Sequence, residues 1–185
     1  SRQGYLVEDL AEEFLKKKLA KEYPIGSTIR FQHHLNDGNY EAKLDAVITD
    51  TKNNTVDIFE IKSSGNIKLK HKYGITFQHL LASTQFSVHK TYLIHVDSNY
   101  VRHSEIDLEQ LFVIEDMTDT ILKYQDEVEI ERAKAKQLLF ETKPPTDYVC
   151  DRPKTCPCPS LCHTNLPNYS IYDVPEMRKN SIQFQ

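Results

Sequence analysis

The first 149 residues of this 185-residue chain contain no cysteine. That stretch therefore has no disulfide framework and reads as a cytosolic domain held by apolar packing. Long apolar runs are also missing. None approaches the roughly 18 residues needed to cross a membrane, so no spanning segment is expected. The opening SRQGYLVEDL lacks a basic stretch followed by an apolar one, which argues against a secretory signal and for a cytoplasmic location. There is no excess of positive charge, since the net charge is -4. The molecule as a whole is thus not a basic nucleic-acid binder, and the distribution of charge matters more than the total. No internal repeat or low-complexity tract is visible. What remains is a chain with 39% hydrophobic and 27% charged residues, which excludes disorder and fits one soluble globular domain with an appended segment.

Periodicity sets out the elements. Residues 4–22 carry an apolar stripe at helical spacing through Leu6, Val7, Leu10, Ala11, Phe14 and Leu15, ended by Pro24 and Gly26. Residues 28–35, 40–50 and 55–63 read as three strands, separated by turns at Asn36-Asp37-Gly38-Asn39 and Lys52-Asn53-Asn54. Such short turns predict an antiparallel meander. A helix over about 72–86 and a strand over 91–97 predict a crossover back onto the sheet. A long charged helix follows over 117–141. The expected fold is α/β (α+β): a mixed central sheet with an antiparallel meander, flanked by helices over residues 1–142, with an irregular cysteine-rich tail over 143–185.

The third strand holds the chemistry. Ile58, Phe59 and Ile61 are apolar on both faces, as in a central strand. Glu60 and Lys62 nevertheless sit within it, two apart and on one face. Burying both charges costs several kcal/mol per ion without compensation. The bland explanation is a structural ion pair, and the functional one is a carboxylate metal ligand beside a cation. Asp45 lies in the apolar run KLDAVI of the preceding strand. Antiparallel pairing through the Asn53-Asn54 turn sets it opposite residues 60–62. Two carboxylates and a lysine then converge, and hard oxygen donors of this kind suit Mg²⁺ or Mn²⁺. A local basic run, Lys62, Lys68, Lys70, His71 and Lys72, follows.

Asp45 and the triplet Glu60-Ile61-Lys62, followed by Ser63 and Ser64, resemble the PD-(D/E)XK nuclease superfamily, its RecB-like members in particular. Leu44 stands where the proline naming the motif would be. The resemblance implies a restriction-endonuclease-like core and a Mg²⁺- or Mn²⁺-dependent nuclease acting on DNA, with exonuclease action among those it allows. It implies metal ligation by Asp45, Glu60 and the Ile61 carbonyl, and assigns Lys62 to the attacking water and the transition-state charge. Gly4 followed by Glu8 matches the family's first-helix acid, with Glu12 as the fallback. Gln78 in ITFQHLLAS matches its second-helix glutamine, which would position the phosphate. The tyrosine that often follows by four residues is replaced by Ala82, and Tyr73 is the candidate substitute. Lys68, Lys70 and Lys72 would contact the nucleic-acid backbone. His71 and His79 are placed only by association with the basic run and Gln78, and His33, His34 and His103 read as surface or packing residues.

Cys150, Cys156, Cys158 and Cys162 lie within thirteen residues, without paired C-x2-C spacing. Zinc, an iron–sulfur cluster and no ordered metal all stay open on spacing alone. RecB-like nucleases often end in cysteines that hold a [4Fe–4S] centre. The resemblance implies that cofactor here, with the fourth ligand either Cys158 or a cysteine upstream of Ser1. The stretches TYLIHVDSNYVRHSEIDLEQLFVIEDMT and SIYDVPEM resemble bacterial proteins in which such a nuclease precedes a domain of unknown function. That likeness implies further domains in the same full-length chain. The competing expectations are a non-catalytic DNA-binding module and a protein-interaction domain of a larger repair or defence protein.

Overall fold

The computed structural model describes residues 2–141. The chain divides into two compact units, residues 1–133 and 134–185. The second is described only through the end of the last helix to Glu141, so Cys150, Cys156, Cys158 and Cys162 lie outside the described residues.

The elements run α1 (Arg2–Glu22), β1 (Thr28–Asn36), β2 (Glu41–Asp50), β3 (Thr55–Lys62), α2 (Leu69–Ser83), β4 (Val88–Val96), α3 (Leu108–Leu111), β5 (Phe112–Asp116) and α4 (Thr118–Leu138). One mixed sheet of five strands is ordered β1-β2-β3-β4-β5. Its first three strands form the antiparallel meander. Strand β4 then joins β3 in parallel, as a crossover through α2 requires, and β5 is antiparallel to β4. Asp37 and Asp50 fix the two turns by accepting backbone N–H groups, from Asn39 and Tyr40 in one and from Lys52 and Asn53 in the other. Gly38 takes the left-handed conformation that the first turn requires, at φ 88°.

Each face of the sheet is covered. On one, Ala46, Ile48, Phe59, Ile61, Ile94 and Phe112 pack against Val7, Ala11, Phe14 and Leu15 of α1. With Leu10, partly buried against the same cluster, these positions are the α1 stripe, whereas Leu6 is exposed. On the other face, Val47, Val56 and Ile58 pack on Leu81 and Ala82 of α2, and Leu93 on Ile75, Met117 and Ile121. Six of the eight residues of β3 are buried, because it is the middle strand with a helix over each face.

Three sequence expectations are corrected. Helix α2 begins at Leu69, not near 72, so Lys70 and Lys72 lie within its first turn and Lys68 is its N-cap. Its end at Ser83 follows from Phe86, which turns back into the second core cluster ahead of β4. Strand β4 starts at Val88 rather than 91. Finally, α3 and β5 were not expected. The apolar run of β5 is only FVI, too short for alternation to register, and α3 is a single turn capped by the Asp107 carboxylate on the N–H groups of Glu109 and Gln110.

Candidate active site

Strand alternation puts Glu60 and Lys62 on the face of β3 that carries Ile58, beneath α2. Their side chains form an ion pair. The β2–β3 ladder ends at Ala46↔Phe59, and continuing it by one residue brings Asp45 level with Glu60. Here the two strands stop exchanging backbone hydrogen bonds. Asp45 Oδ2 instead accepts the Ile61 N–H at 2.8 Å, so the carboxylate satisfies a backbone donor that the ladder has released.

The backbone of β1 adjusts opposite this point. Its pairing with β2 runs through Phe31↔Ala46 and His33↔Leu44 and skips Gln32. Gln32 adopts φ 52°, a left-handed conformation uncommon for a residue with a side chain. The kink explains why Leu44 and Val47, three apart, both enter the same core cluster, which strict alternation forbids. Asp45 lies at the change of facing. Strained backbone of this kind clusters at functional sites.

The electrostatics are those of two acids forced together. Burial first, then the negative charge of Glu60, pushes Asp45 up to about 6, while the Ile61 N–H and the Lys62 charge pull it the other way. Glu60 is buried, and its Oε2 has no hydrogen-bond partner. Gln78 on α2 likewise has a buried, unpartnered Oε1. An unpaired buried polar atom costs about 1–3 kcal/mol. Each such atom calls for an explanation, and a metal ion at the Glu60 carboxylate would supply one. The donor set of carboxylate oxygens with a spare acceptor fits Mg²⁺ or Mn²⁺.

The N-terminus of α2 adds positive charge. It has no acidic residue in its first turn but carries Lys68, Lys70 and Lys72, an arrangement unfavourable to the helix dipole unless an anion offsets it. His71 senses the cluster. Burial, Lys62, Lys70 and Lys68 all lower its pKa from the ordinary value.

Other positions separate from this group. Glu8 is half-buried on α1. Glu12 pairs with Lys16 on the surface. Among the described residues no three acids, histidines or cysteines come together as a metal-holding group. Tyr73 does not replace the tyrosine of the motif. Its ring packs on Tyr124 of α4, and its hydroxyl is bonded to Glu127. Ala82 is fully buried in the second core cluster, so no larger side chain fits there without repacking. His79 bonds Thr91, and His33 packs on the Phe86 ring.

Two features escaped the sequence. The Gln32 kink has no residue signal, since glutamine does not favour φ > 0. His95 on β4 is buried and hydrogen-bonded through Nε2 to Glu115 of β5 at 2.9 Å. A histidine inside the apolar run TYLIHV was its only trace.

No family model and no curated protein matches the chain. Among solved structures it is similar to the crystal structure of SSO0001, with 18% identity and a TM-score of 0.39, over 75% of this chain. The chain spans about 60% of the length of that protein.

Proposed function

We propose that this chain is a Mg²⁺- or Mn²⁺-dependent nuclease that hydrolyses DNA phosphodiester bonds, with a site of the PD-(D/E)XK type. The observation that carries the reading is the meeting of Asp45, Glu60 and Lys62 where β2 and β3 part, with Glu60 Oε2 buried and unpartnered. Asp45, Glu60 and the Ile61 carbonyl would hold the cation. Water and a phosphate oxygen would complete its shell, the way Mg²⁺ is usually bound. The bound cation would neutralise phosphate charge and lower the pKa of the attacking water.

The chain's own groups do the rest. Lys62, paired to Glu60, would orient the water and offset the charge that develops at phosphorus. The amide N–H of Gln78 would donate to the phosphate. Lys68, Lys70 and Lys72 would neutralise flanking phosphates. The test is cleavage of labelled single- and double-stranded DNA across Mg²⁺ and Mn²⁺ titrations. Metal-dependent cleavage that chelation abolishes is expected. Tight DNA binding with no cleavage under either metal would replace this reading with a non-catalytic DNA-binding module.

A further inference from the structure

The catalytic face extends beyond β3. Lys62 and His95 are register partners on adjacent parallel strands, and such strands lie about 4.8 Å apart. Leu93, two residues before His95, faces Ile75 of α2. Alternation therefore turns His95 to the same face as Glu60 and Lys62. The next strand continues the row. Ile114 belongs to the opposite cluster, so Glu115 shares the face of His95. Three strands thus present Glu60 and Lys62, then His95, then Glu115, side by side on one face of the sheet.

The burial of this row is uneven. The His95 side chain is 9% exposed, whereas Glu115 is 46% exposed. An imidazole on a buried strand face costs free energy unless both ring nitrogens are satisfied. Nε2 lies 2.9 Å from Glu115 Oε1 and Nδ1 3.1 Å from the Val96 carbonyl oxygen; both oxygens accept, so a ring with one N–H donates to one of them at a time. The ring is thereby fixed in rotation, with neither nitrogen directed at Glu60. It cannot itself exchange a proton with a phosphate there. It stands on the strand beside Lys62, at the register position of that residue.

Lys62 is the end residue of β3, 30% exposed at its side chain. A lysine stem has four rotatable bonds and about 2 kcal/mol of rotamer entropy. Glu60 draws the ammonium inward, Asp45 adds attraction from β2, and His71 faces it from α2. On the β4 side the register partner is His95.

We infer that the His95–Glu115 pair is a positioning device that holds the Lys62 ammonium at Glu60. This rests on the nuclease reading for its catalytic consequence, but not for its structural one. Amine labelling of the whole chain with an N-hydroxysuccinimide ester, read by mass spectrometry, reports the structural part directly. Lys62 should label severalfold faster in Glu115→Ala than in the native chain, with Lys68 and Lys70 unchanged. Glu115→Gln, which keeps an acceptor oxygen for His95, should restore the native rate. Cleavage reports the catalytic part. In Glu115→Ala, kcat should fall roughly 10–100-fold with little change in KM, as for other partners that orient a reacting group. In a Lys62→Ala background the same substitution should cost nothing further. Glu115 lies on an exposed edge strand, so its variants avoid the cavity that a His95 substitution would open. If Tm falls while Lys62 labelling is unchanged, the pair merely pins β5 to β4 and the inference is overturned. If labelling behaves as expected but the native chain cleaves nothing, the nuclease reading fails and the positioning inference stands.

Discussion

Lys62 is a cation at the edge of a buried strand, paired with an acid that keeps one oxygen unpartnered. Lys62→Ala is expected to lower the cleavage rate by about 10²–10³, or about 2.7–4 kcal/mol, the usual effect of removing a group that acts on transition-state charge. DNA affinity should change less, because Lys68, Lys70 and Lys72 remain. A native cleavage rate in this variant would reduce Glu60–Lys62 to a structural ion pair. Asp45 makes a second, independent test through stability. Its carboxyl is raised from 3.8 to about 6 in the fold, so the folded chain holds this proton more tightly than the unfolded one. Metal-free stability should therefore fall as pH rises from about 4 to about 6 and level off on either side. Asp45→Asn keeps an oxygen for the Ile61 N–H and removes the charge. It should flatten that fall and raise Tm at neutral pH. Thermal unfolding in chelator at several pH values checks both.

Among the elements, the decisive feature is where regular structure gives way. Strands β1 to β3 pair regularly from the Asn53-Asn54 end until Asp45, and there Gln32 leaves the ladder. A left-handed conformation costs a residue with a side chain roughly 1–2 kcal/mol relative to glycine. Gln32→Gly should therefore stabilise the fold by on the order of 0.5–1 kcal/mol after the entropy that glycine adds to the unfolded chain. Gln32→Val should destabilise it, since a β-branched residue tolerates φ > 0 worst. Denaturant unfolding of the two variants gives the sign. A destabilised glycine variant would mean that the glutamine side chain, not its backbone, holds this point.

Across the molecule, charge is segregated. The net charge is -4, yet the start of α2 gathers Lys68, Lys70 and Lys72 beside Lys62. DNA affinity is expected to drop with rising salt despite the acidic total. Lys70→Ala should shallow the slope of log K against log salt by about 1 if Lys70 contacts a phosphate. A slope that does not change places the DNA elsewhere. The cysteines belong to the other unit. Anaerobic reconstitution of the full chain is expected to load close to four irons, the content of a [4Fe–4S] centre. One equivalent of zinc without visible absorbance would overturn that assignment.

The meander, the crossover and the middle position of β3 were legible in the chain alone. Each follows from local information: apolar alternation, turn residues and a run apolar on both faces. The expectation that Asp45 lies level with residues 60–62 has the same local origin, because a tight turn fixes the register of the strands it joins. The remaining contacts arise only from packing. Helix α1 packs its Val7, Ala11, Phe14 and Leu15 edge on the sheet face opposite Glu60 and Lys62, a choice of face that no helical spacing encodes. Tyr73 is drawn to α4, an element that begins at Thr118. The Glu115 partner of His95 lies on a strand too short to announce itself, and the two meet only because β5 pairs with β4. Local periodicity specifies which face a residue occupies within its own element. Only the packing of elements distant in sequence specifies what that face meets, because these contacts depend on how buried area is shared among all the elements at once.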